Sequence, residues 1–266
     1  TFSNAKICGS SRVTPFDTYS KNIFSKGWIL KHLMRSVMWR ANALTCVSKD
    51  MIKQYKKVFK HSPHVYAYSI IDDYYARIMI QEHVEHEWLN TKKTPIIISA
   101  GRLAPWKGFD YLINSIKLIE KKNNAKLIIL GDGELRKKLE LLVKNLNLSK
   151  RIVFLGYVEN SLKYFKKADV FALSSIVEGL PNVLVEAMMC GCTPVATNCP
   201  TGPREVLMDG KYGYLVEMRN SESLANGLLK ALNKPISNQL LNQAIKPFKD
   251  TEVIKHHLKI LDFDDI

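Results

Sequence analysis

Two glutamates eight positions apart, Glu178 and Glu186, flank a Gly-Leu-Pro-Asn turn at the predicted junction between a buried strand and a helix. Pro181 suits the first helical turn, because its missing N–H would have no partner within the helix there. The start of a helix exposes free N–H groups and the positive end of the helix dipole, which favour a phosphate or a polar sugar. Carboxylates are common partners of sugar and ribose hydroxyls. Taken alone, such a pair is more often solvated surface charge, so the neighbouring motifs decide its interpretation.

A second group of reactive residue types follows an apolar run that ends near Gly101. The sequence from Gly101 to Gly108 contains Arg102 and Lys107 around a Pro-Trp pair. A glycine turn that presents these cations at the carboxyl end of a strand can hold a diphosphate, because guanidinium and ammonium groups share the charge of a departing phosphate. Loop cations that only face water are the alternative.

Two further turns occupy comparable positions. Gly131-Asp132-Gly133 follows the next apolar run, but it lacks the third glycine of a dinucleotide-binding loop and comes after the second strand, so we predict no NAD site. A tight turn before a helix is the expected role. Residues 198–205, from Asn198 to Glu205, form a rigid Pro- and Gly-containing turn into a helix, for which turn chemistry and ligand binding remain equally open.

Short apolar runs alternate with amphipathic segments from Pro95 onward. The predicted strands are 96–98, 126–130, 151–155, 170–173, 193–196 and 213–216, with helices at 111–119, at 135–146 and up to about 167 between them. This alternation predicts an α/β fold with a parallel sheet covered on both faces. Ligands of such sheets bind beyond the carboxyl ends of the strands, where every motif above is located.

Residues 1–72 have a different pattern, with one helical stretch at 27–45 and strand candidates at 43–47 and 65–68. Two strands make too small a sheet for a well-covered α/β domain. The polar segment 72–94 has the composition of a connector. Asp262-Phe263-Asp264 has the form of a carboxylate pair that binds a metal ion, but its terminal position favours a solvated tail.

The composition is that of a soluble globular protein: 266 residues, 46% of them hydrophobic, with no run of roughly 18 apolar residues that could span a membrane. The five irregularly spaced cysteines favour reduced thiols in the cytoplasm. Cys190, Cys192 and Cys199 lack a fourth ligand for zinc, so we interpret them as small buried residues and predict no metal.

The net charge of +14 is concentrated at one end, since the first 60 residues hold twelve Lys and Arg against two Asp. This bias fits nucleic acid, an anionic membrane or an anionic substrate. Nucleic acid is the weakest option, because aromatic residues do not alternate with basic ones in a strand pattern. The helix at 27–45 carries an apolar stripe with basic residues elsewhere; packing of the stripe on a sheet is the preferred interpretation, and a helix lying on a membrane surface is the alternative.

The motifs at 101–108, 131–133, 178–186 and 202–205 together resemble, in order and spacing, the retaining glycosyltransferases of family 4. The resemblance covers roughly residues 40–260. The turn at 198–205 is similar to the corresponding turn in the branch of this family that builds bacterial surface polysaccharides such as lipopolysaccharide. It implies a two-lobed GT-B fold and a metal-independent enzyme without a cofactor. In such an enzyme the leaving phosphate helps to deprotonate the acceptor, and the transferred sugar keeps its anomeric configuration. The expected partners are a nucleotide-sugar, with UDP favoured, and a glycan or lipid-linked acceptor, at the inner face of the plasma membrane.

The resemblance also implies roles for single residues. Arg102 and Lys107 would stabilise the departing diphosphate, Glu178 would contact hydroxyls of the donor sugar, and these are the expected catalytic residues. Glu186 would bind the ribose hydroxyls. The complete set of expected donor-binding residues is Gly101, Arg102, Lys107, Gly131, Gly133, Glu178, Gly179, Leu180, Pro181, Asn182, Val183 and Glu186.

The same resemblance predicts the domain organisation and exposes a gap. The expected units are the end of an acceptor lobe (1–72), a connector (73–94), a Rossmann-like donor lobe (95–247) and a returning helix (248–266). Members of the family carry a complete first lobe, so we expect this chain to be a fragment that transfers sugar poorly. The alternatives are a GT-B sugar-nucleotide epimerase or hydrolase, and a non-enzymatic basic module on an anionic membrane.

Overall fold

The computed structural model describes residues 8–12, 14–91 and 93–261. They form two parallel β-sheets. The strands are β1 (Cys8–Ser11), β2 (Ala43–Cys46), β3 (His64–Tyr66), β4 (Ile96–Ala100), β5 (Lys126–Leu130), β6 (Ile152–Gly156), β7 (Val170–Leu173), β8 (Thr193–Thr197) and β9 (Tyr214–Val216). The helices are α1 (Pro15–Thr18), α2 (Lys26–Arg40), α3 (Lys49–Val58), α4 (Asp73–Met79), α5 (Glu87–Thr91), α6 (Phe109–Ile119), α7 (Arg136–Asn145), α8 (Leu162–Phe165), α9 (Asn182–Met189), α10 (Pro203–Val206), α11 (Ser221–Asn233), α12 (Asn238–Ile245) and α13 (Asp250–Ile260). Short 3-10 helices cover Pro105–Lys107 and Lys246–Phe248.

The larger sheet has the order β6-β5-β4-β7-β8-β9, with every pair parallel. The chain therefore adds strands outward from β4 in one direction and then, from β7, in the other. This is the doubly wound Rossmann arrangement, and its topological switch point lies between β4 and β7. The predicted α/β class is confirmed. The loops that leave the switch point are the ones that carry Arg102, Lys107 and Glu178.

The apolar runs are continuous because both faces of this sheet are covered. On β4, Ile96 and Ile98 belong to one core and Ile97 to the other. Helices α6 and α11 cover one face, and α9 and α12 the other, each with fully buried leucines. Side chains that alternate between two dry faces require apolar residues at every position of the strand.

The smaller sheet has the order β1-β2-β3, all parallel, and contains one strand that the sequence pattern missed. The missed strand is β1, whose Cys-Gly-Ser-Ser sequence carries no apolar run. Tyr55 and Met51 of α3 pack beneath this sheet with Cys46. The predicted strands at 43–47 and 65–68 correspond to β2 and β3.

Helix α2 departs from the preferred expectation that it packs its stripe on a sheet. It ends at Arg40 and has no buried residue. Ile29, Leu33 and Val37 are 48%, 58% and 47% exposed, and only Met34 and Met38 reach the core of the smaller sheet. That preferred interpretation was wrong.

The segment predicted as a connector contains α4 and α5, and its Val84 and Leu89 are buried in the same core as Ile96. At the other end of the chain, α13 returns to the start of this segment. Ile71 pairs with Lys249 in a parallel bridge.

Two smaller expectations can be compared with the structure, and a third falls on residues outside it. Cys190, Cys192 and Cys199 are buried, and their thiols donate to backbone oxygens. Burial raises the pKa of Cys190 to about 12, as expected of an unreactive thiol. None of the helices within the described ranges is long and apolar enough to cross a bilayer. Asp262-Phe263-Asp264 lies outside the described residues.

Candidate functional site

The candidate site lies at the carboxyl edge of the larger sheet. Because all six strands are parallel, the loops that follow them emerge at this one edge. The loops at residues 101–108, 131–135, 157–161, 174–181 and 198–202 follow β4, β5, β6, β7 and β8. We call residues 174–181 the Glu178 loop and residues 198–205 the Glu205 turn.

Lys107 and Glu178, two of the three expected catalytic residues, are in direct contact. The Lys107 Nζ lies 2.6 Å from Glu178 Oε1, and the two side chains are 19% and 10% exposed. Two further hydrogen bonds hold the loops of these residues together. Ser174 Oγ donates to the Lys107 carbonyl at 2.8 Å, and the Ile176 N–H donates to the Trp106 carbonyl at 2.8 Å. This is a charge-assisted hydrogen bond in a largely dry setting, which orients the ammonium group before any ligand arrives.

Arg102 lines a separate cavity of about 340 Å³. Gly101, Gly131, Asp132 and Tyr157 also line it. The guanidinium makes an ion pair of 3.3 Å with Glu134 in which both side chains are exposed, at 67% and 44%. Such an exposed pair contributes little free energy, so the guanidinium can exchange this partner for a phosphate at small cost.

The Gly131-Asp132-Gly133 turn has room only for glycine at its first and third positions. Gly131 has a φ of +122°, and a Cβ there would collide with the Gly101 carbonyl oxygen. A Cβ on Gly133 would lie 2.6 Å from the Leu103 carbonyl oxygen. The two loops therefore lie against each other, joined by the Leu103 N–H donating to the Asp132 carbonyl at 2.9 Å. Gly101, Gly131 and Asp132 of these two loops line the Arg102 cavity.

Glu186 lies on α9 and lines another cavity, of about 230 Å³. Burial raises the pKa of its carboxyl, and within the described part of the chain no hydrogen bond or ion pair reaches that carboxylate. Ser161 lines both this cavity and the Arg102 cavity, so the two are neighbours. A half-buried carboxylate without a donor suits ligand hydroxyl groups.

The remaining expected residues of the Glu178 loop act through packing. Pro181 is buried and lies just before α9, not in its first turn as expected. Leu180 and Val183 pack against the core. The Asn182 N–H donates to the Leu180 carbonyl at 3.0 Å, so this N–H is not free to bind a sugar, contrary to expectation.

Two groups of residues at this edge were missed or left unassigned by the sequence interpretation. Tyr157, 81% exposed, lines the Arg102 cavity together with Val158 and Ser161. Their position directly after β6 was the signal that could have identified them. Glu205 was recognised only as part of a turn, and its partners lie far away in the sequence.

Comparisons with known proteins fit this geometry. The Anabaena protein HepE, solved in complex with UDP and glucose, superposes with a TM-score of 0.79 at 20% identity, over 97% of this chain and 72% of HepE. An uncharacterised glycosyltransferase of Methanocaldococcus jannaschii is 32% identical over 277 residues, which are 96% of this chain and 66% of the relative. A Campylobacter jejuni N-acetylgalactosamine-N,N'-diacetylbacillosaminyl-diphospho-undecaprenol 4-alpha-N-acetylgalactosaminyltransferase is 32% identical over 255 residues, 93% of this chain and 67% of the relative.

The sheet is doubly wound, the candidate ligand-binding residues lie at its carboxyl edge, and HepE shares the fold. The chain therefore has a fold of the GT-B class. The model of the family Glycosyl transferases group 1 matches residues 81–247, and the chain belongs to that family. The chain spans about two thirds of the length of the two curated relatives named above, 66% and 67%.

Proposed function

We propose that this chain binds the nucleotide-sugar donor of a retaining, metal-independent glycosyltransferase that builds a surface polysaccharide or a lipid-linked glycan. The observation that carries the proposal is the pair of adjoining cavities. One presents the Glu186 carboxylate, which has no hydrogen-bond partner among the residues that the structure describes. The other presents the Arg102 guanidinium, and Ser161 lines both. A carboxylate for hydroxyls beside a cation for phosphates matches the two ends of a nucleoside diphosphate.

The residues divide the work along the donor. Glu186 accepts hydrogen bonds from the ribose, Arg102 and Lys107 bind the diphosphate, and Glu178 faces the sugar. Charge that develops on the departing phosphate is then stabilised by Arg102 and by the preoriented Lys107 ammonium, so the proposal assigns no role to a metal ion. HepE, described with UDP and glucose, supports the nucleotide, and the Campylobacter relative supports a lipid-linked acceptor.

Titration calorimetry with UDP tests the assignment directly. We expect the chain to bind UDP with the same affinity in EDTA and in magnesium, because the protein itself supplies the cations. Uridine, which lacks the diphosphate, is the matched control and should bind much more weakly. Binding that requires magnesium would contradict the metal-free site, and absence of UDP binding would contradict the donor assignment.

We also propose that α2 rests on an anionic membrane surface. The helix presents Ile29, Leu33 and Val37 to solvent, Trp39 is 88% exposed, and Lys26, Lys31, Arg35 and Arg40 belong to the same 15 residues. Exposed apolar side chains beside basic ones match the interface of an anionic lipid leaflet, and the charge bias of the first 60 residues adds attraction.

Substituting Leu33 by Glu should weaken co-sedimentation with phosphatidylserine liposomes by about tenfold or more, since an apolar anchor is lost and a negative charge is added. Leu141→Glu is the matched control, because Leu141 is 57% exposed on α7, another lysine-rich helix, against 58% for Leu33. Equal binding of both variants, or no binding of the unsubstituted chain at physiological salt, would overturn the membrane contact.

A further inference from the structure

The carboxylate of Glu205 joins the larger sheet to the smaller one. It lies on α10, at the end of the Glu205 turn. The Lys49 N–H donates to Oε1 at 3.0 Å and to Oε2 at 2.9 Å, and the Asp50 N–H donates to Oε2 at 3.3 Å. The Tyr68 hydroxyl donates to Oε1 at 2.6 Å. One side chain thus holds both the start of α3 and the segment after β3.

Lys49 and Asp50 are the first two residues of α3, whose N–H groups have no partner within the helix. Ser48 caps the next N–H, because its hydroxyl accepts from Met51 N at 3.3 Å. A carboxylate at this end is also favoured by the helix dipole. Glu205 therefore completes the cap of a helix that belongs to the other sheet.

The same turn fixes the Glu178 loop. The Thr201 hydroxyl donates to the Glu178 carbonyl oxygen. Gly202 has a φ of +92°, and a Cβ there would lie 2.5 Å from Pro181 Cδ and 2.9 Å from the Gly179 carbonyl oxygen. The Glu205 turn and the Glu178 loop consequently pack with no room between them.

On its other side, the Glu178 loop touches the smaller sheet directly. A Cβ on Gly179 would lie 2.6 Å from the carbonyl oxygen of Arg12, which directly follows β1, and 3.1 Å from Met51 Cε of α3. Helix α3 is thus held against this loop in two ways, directly at Gly179 and indirectly through the Glu205 turn, which packs on the loop.

We propose that Glu205 is a positioning residue that sets the start of α3 against the Glu178 loop, so that the sugar end of the donor depends on it and the nucleotide end does not. The inference rests on the proposed function. The two cavities assigned to the ribose and the diphosphate are lined by none of the residues that Glu205 contacts. Loss of Glu205 should therefore weaken binding of the donor sugar and leave binding of the nucleotide unchanged.

The test compares UDP with UDP-glucose and UDP-N-acetylglucosamine by titration calorimetry on the unsubstituted chain and on Glu205→Ala. UDP affinity should stay within about twofold, because Glu186 and Arg102 are untouched and the Lys107 backbone is held by Ser174 and not by Glu205. The ratio of UDP-sugar to UDP affinity should fall by about tenfold. Glu205→Gln keeps one carbonyl acceptor for the helix and an amide that can donate to the Tyr68 oxygen, so it should restore part of the ratio. Amide hydrogen exchange at Lys49 and Asp50 should accelerate in Glu205→Ala.

Each outcome decides the question. If UDP and UDP-sugars weaken by one common factor, or if exchange at Lys49 is unchanged, Glu205 does not position the sugar site and the proposal fails. Glu205→Gln, which weakens the cap of α3 but keeps the side chain in place, gives the same comparison at a smaller size if Glu205→Ala does not fold. If the unsubstituted chain binds no nucleotide, the proposed function itself is wrong and the inference falls with it.

Discussion

Replacing Lys107 by alanine is expected to slow release of UDP from a bound UDP-sugar by about 10²–10³-fold, the loss typical of removing one preoriented donor to developing charge. The ammonium lies 2.6 Å from Glu178 in a largely dry contact, so it is held in place before the diphosphate departs. Because its effect grows as charge develops on the phosphate, we expect the rate to fall much more than the affinity for UDP-sugar.

The measurement is UDP release in the presence of glycan or lipid-linked acceptors, with rate and affinity determined separately. Lys117→Ala is the matched control, because Lys117 makes a similar ion pair of 2.7 Å, with Glu120, on the exposed side of α6. Lys107→Arg should recover part of the rate, since the charge remains while its reach changes. Equal rates for Lys107→Ala and Lys117→Ala would exclude Lys107 from the chemistry.

Replacing Glu186 by alanine should weaken UDP binding by about a hundredfold, since hydrogen bonds from two ribose hydroxyls to a carboxylate are lost. Titration calorimetry measures the change. Glu159→Gln is the control within the same cavity, because Glu159 is exposed there and has no assigned ligand. If Glu186→Ala binds UDP as tightly as Glu159→Gln does, the ribose assignment is wrong.

Glu186 should also destabilise the unliganded fold at neutral pH. Burial raises the pKa of this carboxyl above its ordinary 4.5, so the folded protein disfavours the charge that the unfolded chain carries freely. Glu186→Gln should therefore raise the free energy of unfolding by about 1 kcal/mol at neutral pH. The gain should vanish below about pH 4, where the carboxyl is protonated in both states, and thermal unfolding at the two pH values measures it.

The sequence predicted the larger sheet well because its information is local. The runs at 126–130 and 170–173 coincide with β5 and β7, since strands buried on both faces are apolar at every position. Strand β1 was missed because Cys-Gly-Ser-Ser becomes a strand only through pairing with β2. Helix α2 was recognised by its period, but a period does not say whether anything covers the stripe.

The location of the candidate residues along one edge of the sheet was predictable for a related reason. Parallel strands bring their carboxyl ends to one edge, so the sequence predicted that Arg102, Lys107 and Glu178 lie along it. The contact between Lys107 and Glu178 depends on backbone geometry and could not be derived from spacing. The role of Glu205 was hidden because Lys49, which it caps, lies 156 residues away.

The return of α13 to the smaller sheet has a consequence for how the protein folds during its synthesis. Tyr66 of β3 stacks on His256 with ring centroids 4.5 Å apart, and its carbonyl oxygen bonds the His256 ring at 2.9 Å. Tyr68 likewise contacts Phe248. His256 emerges from the ribosome 190 residues after Tyr66, the strand residue that it contacts. Local helices can form during synthesis, but the smaller sheet can make these contacts only after α13 has been synthesised.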